Sequence, residues 1–157
     1  MTWLDVNTEN CSIQRSLGVI GEKWTLLLIR DAANGVHRFD DFRRHVGLSE
    51  AVLAARLRTL VSTGIFETRE YQAEGQRRRH EYRLTQKGWD LYPVLIALMN
   101  WGDKYEADPV GPVRIVEHLA CGHPVEAVVR CTHDGAIVGP RNTRAADGPG
   151  ARRLTTA

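Results

Sequence analysis

The chain has 157 residues, 43% hydrophobic and 25% charged, with a formal net charge of +2; this is the balance of a globular protein that buries a core, and it excludes a wholly disordered chain. No apolar run approaches the roughly 20 residues of a membrane-spanning helix, and the first residues lack the basic and apolar regions of a secretory signal. Three cysteines (Cys11, Cys121, Cys131) are too few and too oddly numbered for a disulfide framework, so the expectation is a cytoplasmic protein without a membrane segment.

Taken in chain order, Ile13, Leu17 and Ile20 recur at helical spacing after an N-cap candidate at Asn10 or Ser12, and Gly21 stops that helix. Lys23 to Ala33 is apolar on most faces and predicts a central, buried helix ending at Asn34-Gly35. Phe39, Phe42 and Val46 mark a short helix closed by Gly47, and Ser49 caps another that runs to about Thr63, with Gly64 as its stop. Residues 65–71 and 80–84 alternate as strands do, and the polar stretch QAEGQRRR between them predicts a hairpin loop. Thr85 caps a long last helix with a stripe at Leu91, Leu95 and Leu98, flanked by Val94, Trp101 and Tyr105; Pro93 predicts a kink or two helical pieces.

Helix pair, tight turn and hairpin together predict a mainly α chain with a small β-hairpin (α+β), a winged helix-turn-helix over residues 1–107. Five of the six prolines lie beyond Asp108. Residues 108–157 therefore read as an extension, with a small hairpin at 113–138 and then a disordered tail.

Charge is uneven along the chain. Residues 37–83 hold ten basic side chains, all arginine, against seven acids. Arginine forks suit phosphate and guanine. On the 49–63 helix, Leu53, Leu57 and Leu60 share one face, and Ala51, Ala55, Arg58 and Ser62 the opposite one. Small residues there let a backbone approach a groove floor, Arg58 reaches a base edge or phosphate, and Ser49 stands where a helix N-terminus meets a phosphate. Arg56 projects near the apolar face and is expected to pack its stem and to pair locally or touch backbone. Arg77, Arg78 and Arg79 place charge at the tip of a wing, and Arg43 and Arg44 lie on the preceding helix, where backbone contacts fall. The expected partner is double-stranded DNA.

The ordered set of Cys11, the IGEKWT turn, GVHRFDDF, LSEAVLAARLRTLVSTGIF, EYRLTQKG and WGDKY, spanning residues 11–105, resembles the HxlR-type winged-helix transcription regulators. The resemblance implies a cytoplasmic homodimer joined through its first and last helices, binding a pseudo-palindromic operator and acting as a repressor or activator, with DNA contacts on the 49–58 helix and the 77–79 wing. Two positions depart from the family pattern: Glu22 stands where glycine is usual, and the wing carries arginines where prolines are common. The apolar surplus of the last helix also favours a two-fold dimer, with half-sites about 10 base pairs apart.

Cys11 sits at a helix start, where the dipole favours a thiolate, with Arg15 one turn on. It matches the cysteine that serves some HxlR-type regulators as a thiol switch; a small buried hydrophobe at an interface is the other reading. Cys121, His123, Cys131 and His133 are soft and imidazole donors at short spacings that suggest zinc, but without the usual two-residue gap, so a metal-free hairpin accounts for them equally well. Trp24, Trp89, Tyr92, Met99 and Trp101 are candidates for an effector pocket, or simply core. A thiol enzyme is disfavoured, since no phosphate loop, nucleophile elbow or zinc-protease helix is present. A winged helix used only for protein contacts is the remaining alternative, and it would bind without the salt dependence of DNA.

Overall fold

A computed structural model describes residues 2–72 and 78–154. Its helices are α1 (Ser12–Ile20), α2 (Lys23–Ala33), α3 (Phe39–Val46), α4 (Glu50–Ser62), α5 (Gln86–Trp89) and α6 (Tyr92–Tyr105). Strands β1 (Phe66–Tyr71) and β2 (Arg79–Leu84) follow α4, and β3 (Val129–Arg130) and β4 (Ile137–Val138) lie in the extension. Contacts divide the chain into two compact units, Met1–Trp89 with Ala145–Ala157, and Asp90–Arg144.

In the first unit the apolar spacing sets the core. Leu28 and Ile29 of α2, Phe42 of α3, Leu53, Leu57 and Leu60 of α4, and Ile65 and Phe66 are all buried. Phe42 and Phe66 stack with ring centroids 6.2 Å apart. The turn between α3 and α4 is made by Gly47, whose φ of 74° is left-handed and open to glycine without strain. Buried Leu48 and the cap Ser49, whose hydroxyl accepts from the Val52 N–H at 3.4 Å, complete it.

β1 and β2 pair antiparallel from Phe66↔Leu84 to Tyr71↔Arg79. A bridge between Arg38 and Glu81, with the Tyr82 N–H donating to the His37 carbonyl at 2.7 Å, adds the link before α3 to this sheet. The wing is thereby anchored to the head of the helix-turn-helix.

The core of this unit also holds a charged group. Asp31 is 2% exposed. One oxygen accepts from Arg30 Nε at 2.8 Å and the other lies 2.6 Å from His45 Nδ1, tying α2 to α3. A buried carboxylate needs such partners to offset its lost hydration.

The last helix is in two pieces, as Pro93 suggests, but the break comes earlier. Asp90 and Leu91 form a turn, and Pro93 sits in the first turn of α6, where its missing N–H costs nothing.

In the second unit the boundary expected near Asp108 has no counterpart in the contacts, because α6 groups with the extension. There Ile96 is buried, and the Ala127 N–H donates to Asn100 at 2.9 Å. Two short hairpins follow, a bridge between Glu117 and Pro124 and the β3–β4 pair. Where the composition suggests a disordered tail, the described residues are ordered into a return. Asn7 donates to the Arg152 carbonyl at 2.8 Å, and Leu154 to the Asp5 carbonyl at 2.8 Å. Backbone pairing of this kind is blind to the proline, glycine and arginine content that reads as disorder.

Candidate nucleic-acid interface

The periodicity of α4 sorts its side chains. Leu53, Leu57 and Leu60 face inward, while Ala51, Ala55, Arg58 and Ser62 are exposed on the opposite side. Ser49 spends its hydroxyl on the cap, where it accepts from the Val52 N–H. Among the described residues Arg58 has no carboxylate partner, and it lies close enough to Tyr82 of β2 for its charge to act on that hydroxyl. Burial raises the Tyr82 pKa, and the positive charge of Arg58 opposes that rise. Arg58 of α4 and Tyr82 of the wing are therefore neighbours.

The other arginines of this surface are engaged. Arg43 meets Glu50 at 3.3 Å across the helix-turn-helix, and Arg44 meets Asp41 at 2.8 Å. Arg78 faces Glu70 at 3.6 Å across the wing, and Arg79 reaches Asp40 of α3 at 3.3 Å. Arg69 pairs with Glu67 at 2.7 Å, and Arg83 with Glu81 at 2.9 Å; the bond from Arg83 holds the Glu81 carboxyl below its ordinary range. Arg38 stacks over the Tyr71 ring at 4.7 Å. Arg77 lies outside the described residues.

Arg56 does not pair within its own helix. Its guanidinium lies 3.3 Å from Glu22, the carboxylate that also caps α2 by accepting from the Trp24 N–H at 3.1 Å. The unusual acid in place of glycine thus has a structural task.

Cys11 is the half-buried N-cap of α1, its carbonyl accepting from the Arg15 N–H at 3.0 Å. Arg15 turns its guanidinium to Asn10 at 3.0 Å rather than to the thiol. Cys11 lines a cavity of about 400 Å³ whose walls include Trp3, Val6, Asn10, Asp147 and Ala151, so the returning tail forms one side. Of the pocket candidates, Trp24 is half-buried beneath Lys23, Met99 is half-buried, and Trp89, Tyr92 and Trp101 are exposed; none of them lines this cavity.

The donors suggested for zinc are not gathered in one place. Among the described residues no group of three or more His, Cys, Asp or Glu side chains comes together. Cys121 is taken by His118, 3.3 Å from its sulfur, and His123 turns to the Cys121 carbonyl at 2.9 Å. Asp134 accepts from the Ala136 N–H and from Cys131, which hold its carboxyl below the usual range. Each hairpin tip closes on itself.

A helix pair joined by a glycine turn, a wing tied to its head and an exposed arginine on a face of small residues define a winged helix-turn-helix DNA-binding protein. Residues 19–109 match the HxlR-like helix-turn-helix family model, and the chain belongs to that family. An uncharacterized HTH-type transcriptional regulator of Mycobacterium tuberculosis, Rv3095, is 41% identical over 142 residues, 90% of this chain and 89% of the relative. Among solved structures, PA1607, a proposed transcription factor, superposes with a TM-score of 0.78 at 37% identity, covering 89% of this chain and 96% of its own. The redox regulator HypR in its oxidized form gives a TM-score of 0.56 at 30% identity, over 62% of this chain and all (100%) of HypR. The protein is a DNA-binding transcription regulator. Among its described residues no helix is long and apolar enough to cross a membrane.

Proposed function

We propose that the protein is a cytoplasmic homodimeric repressor whose α4 enters the major groove of a pseudo-palindromic operator, and whose occupancy is set by the state of Cys11. The observation that carries the DNA placement is Arg58. It is an exposed cation on a face of small side chains, beside the base of the wing, with no carboxylate partner among the described residues. Arg43, Arg44, Arg78 and Arg79 supply phosphate contacts around it, and Ser49, Ala51 and Ala55 lie where α4 approaches the groove.

Two exposed apolar faces support a dimer. On α1, Ile13 and Leu17 are 72% and 58% exposed; on α6, Leu98 and Trp101 are 52% and 54% exposed. Apolar side chains of this size at helical spacing are the material of an isologous interface. A dimer covering two half-sites would exclude polymerase from an overlapping promoter. Likeness to a redox regulator, together with a half-buried thiol beside a cavity, supports Cys11 as the sensor of a small oxidant or electrophile. In this reading the thiol is regulatory rather than catalytic.

The test is binding to duplex DNA from the chain's own upstream region at several salt concentrations, with and without the thiol oxidant diamide. Specific binding that weakens steeply with salt and responds to diamide is expected. Cys11→Ser should leave the affinity of the reduced protein unchanged and abolish the diamide response, and a retained response rules out Cys11 as the sensor. Arg78→Ala with Arg79→Ala should weaken binding to every sequence by roughly tenfold and flatten the salt slope by about 2. Unchanged binding removes the wing from the interface.

A further inference from the structure

The arginines of the interface are matched to carboxylates almost one for one. Within residues 37–83 the described acids are Asp40, Asp41, Glu50, Glu67, Glu70 and Glu81, and each holds an arginine of the same segment. Of the remaining described arginines, Arg56 is taken by Glu22 and Arg38 lies on an aromatic ring, which leaves Arg58. Stability does not account for the pattern. In Arg43–Glu50, Arg78–Glu70 and Arg79–Asp40 both partners are at least half exposed, and such solvated pairs stabilise a fold little.

Their effect falls instead on encounters with polyanions. Non-specific DNA binding is driven by cations that replace the counterions of phosphates. An arginine already facing a carboxylate contributes less to that exchange. The carboxylate itself, within a Debye length of the phosphates (about 10 Å at 0.1 M salt), repels them.

Resting on the placement of DNA against α4 and the wing given above, we propose that Asp40 and Glu70 are specificity-determining residues that suppress non-specific DNA binding. Arg79 and Arg78 are released to phosphate only in a closely docked complex, while Arg58, held by none of the described carboxylates, is free to read base edges. A genome offers a vast excess of competing non-specific sites, so lowering that background raises operator occupancy without a new contact to the operator.

The test uses the full chain and a 30-base-pair duplex of mixed sequence. The double variant Asp40→Asn and Glu70→Gln should bind it roughly tenfold more tightly at about 0.1 M salt, with a salt slope steeper by about 1 to 2. The control Glu117→Gln with Glu126→Gln removes two exposed charges from the second unit and should leave mixed-sequence binding within about twofold of wild type. An unchanged affinity in the double variant overturns the proposal, and so does an equal gain in the control, which would show only the effect of net charge. Glu67→Gln, which frees Arg69, is a second variant should the first fold poorly, and it should give about a threefold gain. Failure of the DNA placement itself would show separately, as binding to the upstream duplex unaffected by Arg78→Ala with Arg79→Ala.

Discussion

Replacing Phe42 with alanine is expected to destabilise the first unit by about 3–5 kcal/mol, enough to unfold much of the population of a marginal domain. Phe42 is 0% exposed and stacks on Phe66, so its ring is shared between the helix-turn-helix and the wing. Truncation removes the transfer free energy of the ring and leaves a void that α3 and β1 must both move to fill. Chemical denaturation followed by tryptophan fluorescence measures the effect. A loss under about 1 kcal/mol would mean that the ring is not part of the load between these elements, and that Leu53 and Leu57 carry the core alone. Phe42→Leu keeps most of the volume and should recover more than half of the loss.

The second large effect is on recognition. Arg58→Ala is expected to weaken binding to the upstream duplex by about 10- to 100-fold, and binding to mixed-sequence DNA by less than about threefold. The difference arises because Arg58 has no carboxylate partner among the described residues to leave behind, and because its neighbours Ala51, Ala55 and Ser62 are short enough for a close approach. Titration of both duplexes under one salt condition separates the two quantities. An equal loss on both would reassign Arg58 to a phosphate. Arg58→Lys should retain phosphate attraction but not the bidentate fork, and so should behave as the alanine variant does on the upstream duplex.

The helical and strand skeleton was legible in the sequence because it rests on local rules. Leu53, Leu57 and Leu60 announce their face by spacing, Gly47 and Gly64 mark stops where the backbone turns left-handed, and the hairpin follows from alternation. The exposed face of α4, with Arg58 at its centre, followed from the same rule. What stayed hidden depends on partners far along the chain. Asp31 looks like a surface charge until His45, 14 residues on, is brought to it by the crossing of α2 and α3. Arg79 and Asp40 are 39 positions apart, and only the bridge of Arg38 to Glu81 brings the wing to α3. Only the i to i+2 pairs on the strands, Glu67 with Arg69 and Glu81 with Arg83, could have been read from alternation. The pairing of residues 5–7 with 152–154 has no side-chain signature.

Glu22 carries a consequence of a mechanical kind. A single carboxylate oxygen receives both the Trp24 N–H, which fixes where α2 begins, and the guanidinium of Arg56, on the flank of α4. Two helices are thus pinned to one point, two residues beyond the end of the helix that Cys11 begins. Loss of that one carboxylate would therefore undo two attachments together, the start of α2 and the flank of the helix that carries Arg58.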